Sequence, residues 1–313
     1  AASNVTGVCT DVDAVSILLH RYQALAIFDY ATAAPYVKMD MNPVLLFADG
    51  SINTTPDAQL AYKDAICFSG HKFLGGPGCP GVLIVKKKLL PNSKESPATH
   101  VGGGTVFYVT DTHHRYLSNR EEREEGGTPQ VLGDVKIGLV MHLKQKLARG
   151  GASSNSAGSA GGSSNIGTRR SGLWIEQEEQ RIAAYAWSRF QTQSNLVLLG
   201  KPSRQSPPEA AAGGITDDPL TLMKNYLPIF SFLIRAGARF LHYNFVTALL
   251  NDLFGVQSRG GCMCAGPFAQ RLLGLTDALN HAIEQALLEK HEVLRPGFTR
   301  LSFPYWMSQG EID

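Results

Sequence analysis

The sequence predicts an α/β fold in two domains, and three observations carry that prediction. Short, continuous apolar runs alternate with stretches of helical periodicity over residues 1–148. A second set of such elements occupies residues 171–313. Between them, the stretch 149–170 is dominated by Gly, Ser, Ala and Asn. That composition buries too little surface to fold, so it reads as a flexible Gly/Ser-rich insertion between a large domain and a smaller α/β domain.

The elements follow in order. Ala1 to Gly7 reads as a turn. From Asp11 to Tyr22, apolar residues at Val12, Val15, Leu18 and Leu19 have helical spacing, with an aspartate at the start. Leu25-Ala26-Ile27-Phe28 is a short apolar run of the kind buried on both faces of a sheet, and it ends on Asp29. A helix-like patch from Ala58 to Lys63 leads into a second run, Ala65-Ile66-Cys67-Phe68, and Val82 to Val85 forms a third. Strand, helix, strand at this spacing implies parallel units with right-handed crossovers, hence a mostly parallel sheet in the large domain. Ligands collect at the carboxyl ends of such strands, where Asp29 and the Ser69–Lys72 loop both fall.

Further along, Val101 to Thr105 is a glycine-rich turn and Glu121 to Glu125 a solvated charge run. A periodic helix is expected from Val131 to Leu147. Pro202 to Gly214 reads as another loop. The second domain opens with a helix from Trp174 to Gln193. Strands are expected at Leu196–Leu199, Pro228–Phe232 and Thr299–Phe303, and helices at Asn244–Phe254 and Ala278–Glu289.

Bulk properties exclude several classes. The 313 residues carry 29 basic and 27 acidic side chains, a net charge of 29 − 27 = +2. This gives no reason to invoke nucleic acid or a membrane surface, and no apolar run reaches the length of a membrane span. Five scattered cysteines suit reduced thiols in an intracellular compartment, cytoplasmic or organellar, and no signal peptide is visible. Asn4-Val5-Thr6 and Asn53-Thr54-Thr55 match glycosylation acceptors, a pattern that arises often by chance. The chain opens without Met, and Ser308 with Glu311 forms a capping-box pattern just before its last residue. It therefore reads as a fragment cut at both ends.

The stretch from Cys67 to Gly78, Cys-Phe-Ser-Gly-His-Lys-Phe-Leu-Gly-Gly-Pro-Gly, carries the chemistry. An arbitrary lysine is a solvated surface residue. Here glycines permit close backbone approach, and Ser69 and His71 supply hydrogen bonds suited to a phosphate. A lysine held in a partly desolvated pocket becomes a nucleophile for aldehydes. Lys72 is therefore expected to be a Schiff-base lysine carrying pyridoxal 5'-phosphate (PLP). Asp29 at its strand end would pair with the pyridine nitrogen. Read alone, an aspartate after a strand is more often a turn or cap residue, and Cys262-Met263-Cys264 also fits a pair of metal ligands or inert core thiols.

Four motifs together resemble the class V aminotransferases of PLP fold type I, in the branch of cysteine desulfurases and selenocysteine lyases. They are Ser3-Asn4-Val5-Thr6-Gly7, Phe28-Asp29-Tyr30-Ala31-Thr32-Ala33-Ala34-Pro35, Phe68-Ser69-Gly70-His71-Lys72, and Arg259-Gly260-Gly261-Cys262-Met263-Cys264-Ala265-Gly266-Pro267. The resemblance implies PLP bound through Lys72, with Asp29 on the pyridinium and Ser69 and His71 on the phosphate. Asn4 matches an asparagine near the phenolic oxygen and the substrate carboxylate. Thr32 stands where the family usually has a glutamine, so it would reach that oxygen only through water. Thr128 matches a threonine that reaches the phosphate of a neighbouring subunit, which implies a homodimer with shared sites. Arg300 matches the arginine that grips the substrate carboxylate, and Arg259 a second arginine nearby. Cys264 falls at the desulfurase nucleophile, although its turn lacks the histidine of many desulfurases. Cys9, Cys67 and Cys79 read as structural. The family's cofactor-stacking side chain would precede Ala1, and its final helix would follow Asp313.

The implied function is desulfuration of cysteine through Lys72 and a Cys264 persulfide, with a small amino-acid substrate and a sulfur-acceptor protein as partner. Two alternatives remain open. One is an aminotransferase or other lyase without a cysteine nucleophile. The other is a truncated, inactive homologue acting as a structural partner.

Overall fold

A computed structural model describes residues 1–90, 96–150, 173–202 and 218–313. The insertion expected over 149–170 lies outside the described residues from 151 onward, as does the loop expected over 202–214 from 203 onward. The chain forms two compact units: Ala1 with Asp11–Gly172, and Ala2–Thr10 with Leu173–Asp313.

In the first unit, α1 (Val12–Arg21) starts at Asp11, whose side chain accepts from the Ala14 N–H at 2.9 Å. That contact satisfies one of the four unpaired donors at the helix start. The strands are β1 (Ile27–Asp29), β2 (Ala65–Ser69) and β3 (Gly81–Val85). β1 and β2 are parallel, with Asp29 opposite Cys67. β3 runs antiparallel to β2, with Ser69 opposite Gly81. The strand–helix–strand spacing predicts a parallel third strand, and the structure differs. A parallel return needs a crossover of a dozen or more residues, usually a helix. The segment between Ser69 and Gly81 instead folds as a glycine-rich turn, so the chain doubles back. The helix expected at Ala58–Lys63 is a single 3₁₀ turn, Ala58–Leu60. A hairpin of β4 (Val106–Val109) and β5 (His114–Tyr116) follows, then α2 (Arg120–Glu124) and α3 (Val131–Gly150). Asn119 caps α2, accepting from the Glu121 N–H at 3.0 Å. Within the charge run of α2, Arg123 is buried rather than solvated.

The join between β1 and β2 rests on Asp64, which is fully buried. Its Oδ2 accepts from His20 Nε2 at 2.8 Å and from the Ala26 N–H at 3.0 Å, while Oδ1 lies 3.0 Å from Lys88 Nζ. Burial pushes its carboxyl up, but these three donors outweigh that and hold it at about 2. Apolar packing behind the sheet comes from Phe28, Ile66, Phe68 and Phe73.

The second unit opens with α4 (Leu173–Phe190) and continues through β6 (Leu196–Leu198), α5 (Pro219–Leu222), β7 (Ile229–Ala236), β8 (Arg239–Phe240), α6 (Tyr243–Phe254) and β9 (Arg259–Gly261). The final elements are α7 (Gly266–Leu272), α8 (Asp277–Leu288), β10 (Phe298–Ser302) and α9 (Gln309–Ile312). The sheet order is β6-β7-β10-β9, antiparallel throughout, with β8 paired to β7. α4 buries Ile175, Ile182, Ala183, Ala186 and Trp187, a helical stripe of which Ala183, Ala186 and Trp187 pack with Met223 and Phe230. Phe190 meets Phe230 edge to face at 5.1 Å. α6 ends at Gly255, whose φ of +66° places it in the left-handed region that favours glycine. The capping box expected at the end of the chain is present, with the Ser308 N–H donating to Glu311 Oε2 at 2.7 Å.

Ala2–Thr10 joins this unit through backbone and side-chain contacts. Val8 bridges Tyr226, the Leu227 N–H donates to Gly7 O at 2.8 Å, and Ser231 Oγ donates to Val5 O at 2.6 Å. Among the described residues, no helix is long and apolar enough to cross a membrane.

Candidate active site

The parallel register of β1 and β2 brings two candidate groups to one sheet edge. Asp29 ends β1 and Ser69 ends β2, two positions beyond Asp29's partner Cys67. The Tyr30 N–H donates to Cys67 O at 2.7 Å, which closes the edge. Asp29 Oδ1 accepts from the Ala31 N–H at 2.6 Å, fixing the carboxylate in a tight turn. Thr32 lies half-buried in the same turn.

Beyond Ser69, the chain makes one 3₁₀ turn, Gly70–Lys72, and Ser69 makes no capping hydrogen bond with its side chain. His71 and Lys72 are exposed, so Lys72 is not the partly desolvated lysine expected from its apolar neighbours. The physical reason lies in the turn: Phe73 and Gly70 take the buried positions and turn the lysine outward. Glycines set this shape by backbone approach. A Cβ on Gly70 would lie 2.6 Å from Pro80 O, and one on Gly76 would lie 2.2 Å from Gly70 O. Gln130 Nε2 donates to Gly78 O at 3.2 Å, and Lys136 Nζ donates to Pro77 O. Thr128, exposed two residues before Gln130, thus sits on a segment tied to the lysine loop.

The second unit gathers the remaining candidates. Asn4 Nδ2 donates to Met263 O at 2.7 Å, and Arg300 Nη1 donates to Asn4 O at 2.9 Å. Arg300 on β10 stands opposite Arg259 on β9. Arg259 Nη2 donates to Cys264 Sγ at 3.1 Å. Asn4, Arg259, Cys264 and Arg300 therefore form one connected set, although Asn4 and Cys264 are separated by most of the chain. Met263 and Cys264 have φ of +59° and +58°, both in the left-handed region that side chains disfavour. Met263 is buried among Val5, Leu199 and Phe298, which holds the turn in place.

The aminotransferase class-V family model matches residues 1–155. Residues 1–155 are thus similar to the class-V aminotransferase family. Among curated relatives, a Halalkalibacterium halodurans protein described as "Probable cysteine desulfurase" is 25% identical over 202 residues, 64% of this chain and 39% of that protein. A Chlamydia muridarum protein with the same description is 32% identical over 146 residues, 46% of this chain and 31% of that one. The chain thus spans well under half the length of these relatives. Among solved structures, the apo cysteine desulfurase of Thermococcus onnurineus NA1 is similar at a TM-score of 0.62 and 19% identity, over 99% of this chain and 55% of that chain. That is a likeness of fold, the α/β fold of PLP-dependent fold type I.

Two buried groups are not marked by any sequence motif. Glu179 lies on the buried stripe of α4, accepts from the Tyr305 N–H at 2.7 Å, and is pushed by burial up to about 8. Its position between Ile175 and Ile182 at helical spacing was the available signal. Lys201 lies between the rings of Tyr226 at 4.3 Å and Phe230 at 4.5 Å, and burial pulls it down to about 7. Nothing local in Gly200-Lys201-Pro202 marks it. Of the cysteines outside the turn, Cys79 is buried, and burial pushes the Cys9 and Cys67 thiols up. Among the described residues, no group of three or more His, Cys, Asp or Glu is placed to hold a metal.

Proposed function

We propose that the protein carrying this chain is a PLP-dependent enzyme that removes sulfur from cysteine or a closely related amino acid. The observation that carries this reading is the connected set in the second unit. A thiol accepts a hydrogen bond from one guanidinium, and a second guanidinium lies on the adjacent strand.

The residues of the first unit fit the cofactor in type. One sheet edge offers an amine, a carboxylate, a hydroxyl and an imidazole. Lys72 forms no ion pair among the described residues, so its amine is available for an aldehyde. When bound, PLP supplies an electron sink for the substrate's α-carbon. Lys72 would hold the cofactor's aldehyde carbon and then accept the α-proton on Nζ. Asp29 would hold a proton at the pyridine nitrogen. Ser69 and His71 would donate to the phosphate, with Thr128 assigned to the phosphate of a second copy in a homodimer. Thr32 would reach the cofactor's phenolic oxygen through water.

In the second unit, Arg300 would grip the substrate carboxylate, a bidentate match of guanidinium to anion. Asn4 orients that arginine through its carbonyl, and Arg259 holds the thiol. Cys264 Sγ, as thiolate, would form a bond to the substrate's sulfur while that sulfur's bond to the β-carbon breaks; the electron pair would pass to the carbon side, which would gain protons to become alanine, and a persulfide would remain on the protein. A sulfur-accepting partner would then regenerate the thiol.

The test is release of alanine and sulfide from cysteine by the whole PLP-loaded protein, compared with Cys264→Ala. Loss of both products in the variant is the expected result. Unchanged turnover would leave a lyase or aminotransferase without a cysteine nucleophile. Absence of a reducible PLP adduct at Lys72 would leave an inactive homologue.

A further inference from the structure

The motif carries two thiols, and the second is not accounted for by the reaction above. Cys264 is committed to the Arg259 guanidinium. Cys262, also exposed, instead lines a cleft of about 800 Å3 between α7, α8 and the approach to β10. The size matches a pocket for a small molecule rather than a groove for a folded partner.

A single residue, Met263, separates the two thiol-bearing residues, and its backbone is bent. Two residues span up to ~7 Å when extended. The left-handed backbone of Met263, the one residue between them, curls the chain tighter than that. Two consecutive non-glycine residues in this region store strain, which persists only where the surroundings over-determine it. Here the surroundings are the buried Met263 side chain and the Asn4 amide on its carbonyl. Met263 is therefore anchored, and Cys264 shares its left-handed backbone while Cys262 precedes the bend.

The cleft's lining points to a ligand class. Arg295 is bidentate with Glu292 at 2.8 and 2.9 Å and His281 lies 3.6 Å from Glu284, while Asp277 forms no ion pair among the described residues. The side-chain amides of Gln270 and Asn280 make no hydrogen bond among the described contacts. Ala269, Leu273 and Ile283 supply apolar surface. An amide-bearing small thiol suits this mixture.

We propose that Cys262 is a relay thiol, taking the sulfane sulfur from Cys264 and passing it to a small peptide-like thiol bound in the cleft. The proposal rests on the desulfurase reading of Cys264. In the first step, Cys262 thiolate attacks the outer sulfur of the Cys264 persulfide. A new S–S bond forms at Cys262, the old one breaks, and Cys264 leaves as thiolate. In the second, the bound thiol, as thiolate, attacks that same sulfur and Cys262 leaves as thiolate. Neither step needs an oxidant or reductant, since each exchanges one S–S bond for another.

The experiment is a single turnover of the whole PLP-loaded protein with ³⁵S-cysteine, followed by alkylation and peptide mapping, and then a chase with glutathione as the probe thiol. In the unaltered protein, label should reach Cys264 first and Cys262 second, and glutathione should remove it. In Cys262→Ser, label should stop on Cys264, and its transfer to glutathione should slow at least tenfold. Asn280→Trp, which fills the cleft from its α8 wall, should slow the chase while leaving label on Cys262. Equal transfer rates in Cys262→Ser and the unaltered protein would overturn the relay. Failure of glutathione to draw label from the unaltered protein would overturn the small-thiol assignment. Label on neither cysteine would overturn the desulfurase reading itself, and is distinguished by the empty Cys264 peptide.

Discussion

The lysine loop and the thiol turn solve the same problem in opposite ways. Each is a glycine-rich bend that presents one reactive side chain. The lysine loop takes its shape from its own backbone: Gly70 and Gly76 let carbonyls approach more closely than any Cβ allows. The thiol turn uses two residues with side chains in the left-handed region and holds them from outside, through Asn4 and the burial of Met263. A locally encoded loop should fail when a local glycine is lost. A remotely anchored turn should fail when a distant anchor is lost, while its own residues tolerate more.

The largest expected effect is on the sheet edge that carries the lysine loop. Asp64→Ala leaves His20 and the Ala26 N–H without their buried acceptor and should destabilise the first unit by about 3–5 kcal/mol. The same carboxylate gives a pH signature. Its folded value of about 2 lies below the ordinary 3.8. Its stabilisation is therefore complete above pH ~4 and lost as pH falls toward 2. Urea unfolding at pH 7 and pH 3 should show the variant's deficit shrinking at the lower pH. An equal deficit at both would mean that the acid-sensitive pair lies elsewhere.

Gly76→Ala comes next. The new Cβ would meet two backbone oxygens, Gly70 O at 2.2 Å and Phe73 O at 2.8 Å, neither of which can rotate away. Overpacking of this kind costs about 1–3 kcal/mol. Reductive trapping of PLP at Lys72 should fall with it. Retained trapping would show that the loop's shape is not set by its glycines.

The contrast also explains what the sequence made legible. β1, β2 and the helices at 131, 173, 243 and 277 announce themselves because their apolar period is local. Lys72, Asn4, Asp29, Arg300 and Cys264 were named from short motifs. The direction of β3 was not legible, because it depends on whether the chain after Lys72 crosses over or turns back, and glycines permit both. The 3₁₀ turn at Ala58–Leu60 was mistaken for a helix because three or four apolar residues cannot distinguish the two. The burial of Arg123 and Lys201 depends on residues far away in the chain. Met263 lay inside a quoted motif, yet its anchoring role became visible only through Asn4, 259 positions earlier.

Asn4→Ala tests the remote anchor. It removes the donor to Met263 O and leaves that carbonyl short of a partner, a loss of about 1–2 kcal/mol. Because the bond holds a strained turn, the thiols should also loosen, and alkylation of both Cys262 and Cys264 by iodoacetamide should quicken. Unchanged stability with unchanged alkylation would mean that Met263 burial alone holds the bend.

The smallest stability effect is expected at Arg259, where the chemistry rather than the fold should move. Its guanidinium reaches Cys264 Sγ from an exposed position at the start of β9. Arg259→Gln should change stability by no more than about 0.5 kcal/mol, as for most surface substitutions. Loss of this hydrogen bond acts on the sulfur directly, so alkylation at Cys264 should slow severalfold while Cys262 is unaffected. Arg259→Lys keeps the charge without the planar fork and should recover part of that rate. The two thiols thus serve as internal controls. If both slow together in Arg259→Gln, the arginine supports the whole turn, and the division between local and remote anchoring fails at this residue. If only Cys264 slows, Arg259 acts on the sulfur alone, and the turn's shape belongs to Asn4 and Met263.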